Sequence, residues 1–130
     1  SLGLVEEKMI SFSSSFINIL MESNREVQVA INNKNKEVFQ LKDKKDFNDL
    51  LYYLIKNKSE GEKSFRDFLN EYKDIEALDE IDIFSVNLDK EMIEFLMKHT
   101  KYCKINFFYL IKIFEENIIE NERLSIVKVN

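Results

Sequence analysis

The apolar stretch from Ile105 to Ile119, Ile-Asn-Phe-Phe-Tyr-Leu-Ile-Lys-Ile-Phe-Glu-Glu-Asn-Ile-Ile, constrains this chain more than any other segment. Asn106 stands where it can cap a helix. Phe107, Leu110, Ile111, Phe114 and Ile118 recur at helical spacing, and Phe108, Tyr109, Ile113 and Ile119 carry the apolar arc almost all the way round. The spacing predicts a helix over 105–119 that needs neighbours on more than one side. Lys112, Glu115 and Glu116 interrupt it, and it falls short of the roughly 20 apolar residues that span a bilayer. It reads as the central helix of a soluble core, with no membrane span.

A chain of 130 residues is the size of one domain, and 45% hydrophobic against 33% charged residues gives it enough material for a core. The aromatic load is eleven Phe and five Tyr with no Trp. Phe carries no polar atom to satisfy on burial, so a Phe-rich interior is expected. The chain opens Ser-Leu-Gly without a Met, which reads as a domain excised from something longer.

Several chemistries are excluded by what the sequence lacks. There is no proline, and of two glycines only Gly61 lies away from the terminus. Walker loops, dinucleotide fingerprints and nucleophile elbows all need glycine where backbone turns tightly or meets a phosphate, so none can be written here. Cys103 is the single cysteine and His99 the single histidine. An internal disulfide and a zinc cluster are both ruled out, and a reducing, cytoplasmic location is expected. A net charge of -5 argues against a dedicated nucleic-acid binder. No cofactor is expected.

In chain order, Val5 to Met21 places Val5, Met9, Phe12, Phe16 and Leu20 at spacings of three and four, an amphipathic helix. Its serines, Ser11 and Ser13 to Ser15, favour helix poorly, so packing must hold it. The period then changes to two: Val27, Val29 and Ile31 predict a strand, Asn32 to Lys36 a polar turn, and Val38 to Leu41 the return strand of a hairpin over 26–41. Asp46 is placed to cap a helix carrying Phe47, Leu50, Leu51, Leu54 and Ile55. Ser64, with Asp67 three residues on, opens another lined by Phe65, Phe68, Leu69, Tyr72 and Ile75. Asp79 to Val86 alternates and reads as extended. Asp89 caps a short helix with Met92, Ile93, Leu96 and Met97. Leu124, Ile126 and Val129 read as a closing strand that pairs with the hairpin. The sum is a small single α+β domain over 1–130, with about five helices around the central one and a small antiparallel sheet.

Four groups of residues are candidates for function. Lys98, His99, Lys101, Tyr102, Cys103 and Lys104 form a basic stretch without an acid, suited to a phosphate, another anion or an acidic partner segment. His99 and Cys103 are four apart and on a continuous helix would share a face as a base and nucleophile, although the stretch looks like an interhelical turn. Between Glu71 and Glu94 there are nine acids against two lysines, with Asp79, Glu80 and Asp82 closest together. Paired carboxylates bind hard cations or move protons, but Asp-Glu-Ile-Asp lacks the glycine and spacing of an EF-hand, and a solvated acidic surface is the better reading of it. Lys34, Lys36, Lys42, Lys44 and Lys45 make the hairpin and its exit locally basic; lysines near strand ends also prevent edge-to-edge association. Finally, Phe12 and Phe16 are core if their stripe packs inside, and a contact surface for a partner or a second copy if it does not.

The expected function is a non-catalytic protein-interaction or regulatory domain, with Phe12, Phe16, Lys98, His99, Lys101, Tyr102 and Lys104 as its contact residues. The partner is a protein or a second copy of the chain. A nucleic-acid accessory protein using the Lys-rich hairpin and the 98–104 loop is the alternative, and an enzyme built from scattered carboxylates and lysines is a second one.

Overall fold

The computed structural model describes residues 2–23, 27–32, 36–56, 67 and 80–130. Two compact units are present, one comprising Ser1–Met9 with Phe65–Asn130 and the other Ile10–Ser64. Among the described residues there are three helices and five strands, an α+β arrangement with two separate sheets. We number the helices α1 (Leu2–Glu22), α2 (Lys44–Lys56) and α3 (Lys90–His99), and the strands β1 (Val27–Asn32), β2 (Lys36–Leu41), β3 (Glu80–Leu88), β4 (Lys104–Lys112) and β5 (Leu124–Lys128).

In the unit of residues 10–64, β1 and β2 pair antiparallel, with Val29 opposite Phe39 and Val27 opposite Leu41. This is the hairpin that the two-residue alternation predicts. Ile17 of α1, Leu41 of β2 and Leu50 of α2 form the buried centre, with Met21, Val27, Val29, Ile31, Phe39, Phe47 and Leu54 packed around them. The α2 stripe therefore faces the core as its spacing requires. Its start lies three residues earlier than expected. Asp43 Oδ1 accepts from the Asp46 amide at 2.9 Å, and Asp46 Oδ2 accepts from the Lys42 amide at 3.0 Å. Asp43 is the cap, and Asp46 is the inner partner that reaches back, in the manner of a capping box.

The other unit overturns the expectation of a central helix over 105–119. Lys104–Lys112 is β4, the middle strand of a three-stranded parallel sheet ordered β3-β4-β5, and residues 113–123 carry no helix. Phe107, Phe108, Tyr109 and Leu110 are all buried in succession. A strand covered on both faces shows no alternation, so its apolar run spreads round a helical wheel as widely as that of a buried helix does. The aromatic and β-branched content of Ile105 to Ile111 favours the pleated surface and decides the matter.

The expected pairing of the closing strand with the hairpin is likewise overturned. Leu124 stands beside Ile105 and Ile126 beside Phe107 in a parallel register, so β5 belongs to the second sheet. Among the described residues, the expected five helices and single antiparallel sheet are replaced by three helices and two sheets. The expected helix beginning at Ser64 lies outside the described residues except for Asp67, which is helical and exposed.

The expectations for 79–99 hold where described. Ile81 pairs with Ile105 and Ile83 with Phe107 across β3 and β4, and Asp89 caps α3 by accepting from the Met92 amide at 2.8 Å. The unit β3-α3-β4 is thus a parallel crossover made by a helix. Leu88, Leu96, Cys103, Ile105, Phe107, Tyr109, Leu124 and Ile126 form the core, with Met92 and Ile93 of α3 packed on it. From β4 to β5 the chain crosses without a helix. Phe114 and Ile118 pin that segment to the same core, and Glu120 accepts the Ile126 amide at 3.1 Å. On the opposite sheet face Phe84 and Phe108 stack at 5.1 Å and 14°.

Candidate functional site

The basic stretch 98–104 is built by the end of α3 and the start of β4. The helix closes at Thr100, whose amide donates to Leu96 O at 3.1 Å and whose hydroxyl donates to Met97 O at 2.7 Å. The Tyr102 amide then turns back to His99 O at 3.0 Å. A second segment locks the loop. Arg123 Nε donates to Thr100 O at 2.6 Å, and the Ile105 amide donates to Arg123 O at 2.8 Å. Arg123 also places a cation at the carboxyl end of α3, where the helix dipole favours one.

On this base the aromatic rings are ordered. His99 stacks on Phe95 with ring centres 4.2 Å apart and planes 28° from parallel, and meets Tyr102 edge-on at 6.0 Å and 73°. Phe95 is buried, His99 half-buried and Tyr102 54% exposed, so the stack runs from core to surface. Lys98, Lys101 and Lys104 are exposed beside it. No salt bridge among the described residues involves these three lysines. The structure therefore brings Lys98, His99, Lys101, Tyr102 and Lys104 to one loop.

Cys103 parts from that group. The helix ends before it, so the four-residue spacing to His99 is not a helical one. Its side chain is 1% exposed within the core that includes Leu96 and Ile105. Burial pushes the thiol above its ordinary range, and the Arg123 charge only partly offsets this. A nucleophile needs the thiolate, which this environment disfavours.

The acidic cluster is organised by an amide. Asn106 Nδ2 donates to Glu80 Oε1 at 2.6 Å and to Asp82 Oδ1 at 2.9 Å, holding two carboxylates side by side at the amino end of the sheet. Asp79 lies outside the described residues. Among the described residues no three His, Cys, Asp or Glu side chains gather as metal ligands. Elsewhere, Glu116 is held below the usual carboxylate range by backbone amides and by Lys90, whose Nζ lies 3.1 Å away on the surface.

Of the hairpin lysines, Lys42, Lys44 and Lys45 are exposed around the start of α2; Lys34 and the side chain of Lys36 lie outside the described residues. Among the described side chains of α1, Met9 and Ile17 are the buried positions. Phe12 and Phe16 flank them half-buried, with ring centres 6.4 Å apart.

The opposite end of the parallel sheet holds a feature the sequence did not suggest. Leu110 and Ile111 of β4 and Lys128 to Asn130 at and after the end of β5 line a cavity of about 360 Å³, together with Lys8 of α1. Lys8 and Lys128 stand at opposite ends of the sequence, and no local pattern links them. Arg123 was missed for the same reason.

No family model, curated protein or solved structure matches the chain. Among the described residues, no helix is long and apolar enough to cross a membrane. The functional argument therefore rests on the geometry alone.

Proposed function

We propose that this chain is a non-catalytic protein-interaction domain of the cytoplasm, whose contact surface is the 98–104 loop and whose partner presents an acidic segment. The observation that supports it is that the loop presenting exposed Tyr102, between His99 and three exposed lysines, is held on either side by Arg123, which donates from Nε to Thr100 O and accepts at its carbonyl from the Ile105 amide. A loop already fixed in conformation loses little entropy when it binds. Tyrosine offers an apolar ring with a polar tip, a frequent anchor of interfaces. The lysines add direction: on a chain of net charge -5 they form a local cationic spot that orients an acidic partner.

The test is an NMR titration of the wild type, Lys101→Glu and Tyr102→Ala with acidic, neutral and basic peptides and with single-stranded oligonucleotides. Support is a selective shift of the 98–104 amides by acidic peptides, lost in both variants while their remaining spectra keep their dispersion. Shifts caused by oligonucleotides at Lys42, Lys44 and Lys45 instead would favour a nucleic-acid accessory role. Silence at 98–104 with every peptide overturns the proposal. Light scattering on the wild type and Phe16→Asp covers self-association: a dimer lost in the variant would move the contact to α1.

A further inference from the structure

The cavity at the carboxyl ends of β4 and β5 has the composition of a binding site for a small amphipathic anion. Open parallel sheets place their ligands beyond the carboxyl ends of the strands, and this cavity lies there, at the other end of β4 from the 98–104 loop. Its lining divides by chemistry. Leu110, Ile111 and Val129 supply apolar surface, while Lys8 and Lys128 supply two cations and Asn130 an amide. The described lining contains no carboxylate side chain. Its volume is about 360 Å³, and it is open to solvent on one side.

The floor of the cavity is fixed independently of any ligand. The Val129 amide donates to Tyr109 O at 2.7 Å, which continues the β4–β5 pairing past Lys128 and holds Val129, 6% exposed, beside the end of β4. Tyr109 belongs to the core, so the apolar wall is part of the sheet itself. Ile111, by contrast, is 41% exposed at the same end and is available to be covered. Lys8 and Lys128 are exposed and both line the cavity, and their flexible stems leave the ammonium groups free to turn towards an anion bound there.

We infer that this cavity binds a small molecule with one anionic group, a carboxylate or phosphate, held by Lys8 and Lys128, and a short apolar body lying on Leu110, Ile111 and Val129. The anion supplies the charge-assisted hydrogen bonds, and the body covers the exposed Ile111 and meets only the edges of the buried Leu110 and Val129. Neither part suffices alone: the lysines are exposed, so a bare anion gains little from them.

The probes are octanoate, inorganic phosphate and octanol, followed through the methyl resonances of Leu110, Ile111 and Val129, with Lys8→Met and Lys128→Met beside the wild type. Octanoate shifts all three methyl groups saturably, phosphate and octanol bind at least about tenfold more weakly, and each variant loses about tenfold in octanoate affinity. Both substitutions fall on exposed side chains, so preserved spectral dispersion elsewhere distinguishes lost binding from lost fold. Absence of saturable methyl shifts with octanoate overturns the inference. So does octanoate affinity in both variants equal to that of the wild type, or phosphate binding as tight as octanoate binding. None of these outcomes depends on whether the 98–104 loop binds a protein.

Discussion

Arg123 and Thr100, 23 residues apart in sequence, are joined by a 2.6 Å hydrogen bond from the guanidinium Nε to the Thr100 carbonyl oxygen. The bond satisfies an acceptor at the carboxyl end of α3 that the helix cannot satisfy itself. It also ties the 98–104 loop to the turn before β5. Replacing Arg123 by Ala removes the donor and leaves a partly buried carbonyl short of a partner, at an expected cost of about 1 to 3 kcal/mol in urea unfolding. The more specific outcome is local: the Tyr102 amide should exchange with solvent faster relative to the Phe107 amide, because the loop opens before the sheet does. Unchanged relative protection would show that the loop is held by its own turn alone.

The start of α2 separates two aspartates by role. Asp43 caps the helix by accepting from the Asp46 amide, whereas Asp46 accepts from Lys42, outside the helix. Asp43→Ala is expected to destabilise by about 1 kcal/mol, and Asp46→Ala by less. The double variant should lose less than the sum, because the two bonds close one turn around each other. Thermal unfolding of the four proteins checks this. A larger loss for Asp46→Ala than for Asp43→Ala would return the cap to Asp46.

Cys103 is expected to be inert in the folded chain. Its burial in the core and its raised thiol value both work against attack on a disulfide reagent. Reaction with an aromatic disulfide should be slow in buffer and become fast in denaturant, tracking unfolding. The same shift has a pH consequence. As pH rises above the ordinary thiol value, about 8.5, the unfolded chain gives up a proton that the folded chain retains, so stability falls until the raised folded value is passed. Cys103→Ala should flatten that alkaline slope while lowering stability at neutral pH through lost packing. A slope unchanged in the variant would place the alkaline sensitivity elsewhere.

These residues also show where the sequence was informative. The α2 stripe, the Asp89 cap, the alternation of β1 and β3 and the return strand β2 after its polar turn are local patterns, and the elements follow them. In β4 both faces are covered, so Phe107 to Leu110 carry no period that distinguishes strand from helix. The partner of β5 was hidden because parallel pairing joins segments across a crossover, and Leu124 beside Ile105 leaves no local mark. For the candidate loop, the lysines and aromatic residues were visible as a cluster. What fixes their geometry, Arg123, was not, and the cavity between Lys8 and Lys128 depends on the fold bringing the two ends of the chain to one sheet edge.

Asn106 offers the sharpest test of the parallel register, because Glu80 and Asp82 reach it only if β3 lies beside β4 as observed. Its amide donates to both carboxylates and so offsets the repulsion between them. Asn106→Asp replaces that donor with a third negative charge of almost the same shape. The introduced carboxyl sits between two like charges, which raises its folded value above the unfolded one. A raised value of this kind leaves stability intact at low pH and removes it as pH rises through the carboxylate range. The variant should therefore lose about 1 to 3 kcal/mol relative to the wild type near pH 7, and the gap should narrow as pH falls towards about 4. Urea unfolding of both proteins at the two pH values decides it. An equal loss at both would mean that the amide acts through its hydrogen-bond geometry and not by relieving charge, while no loss at either would count against the β3–β4 register itself.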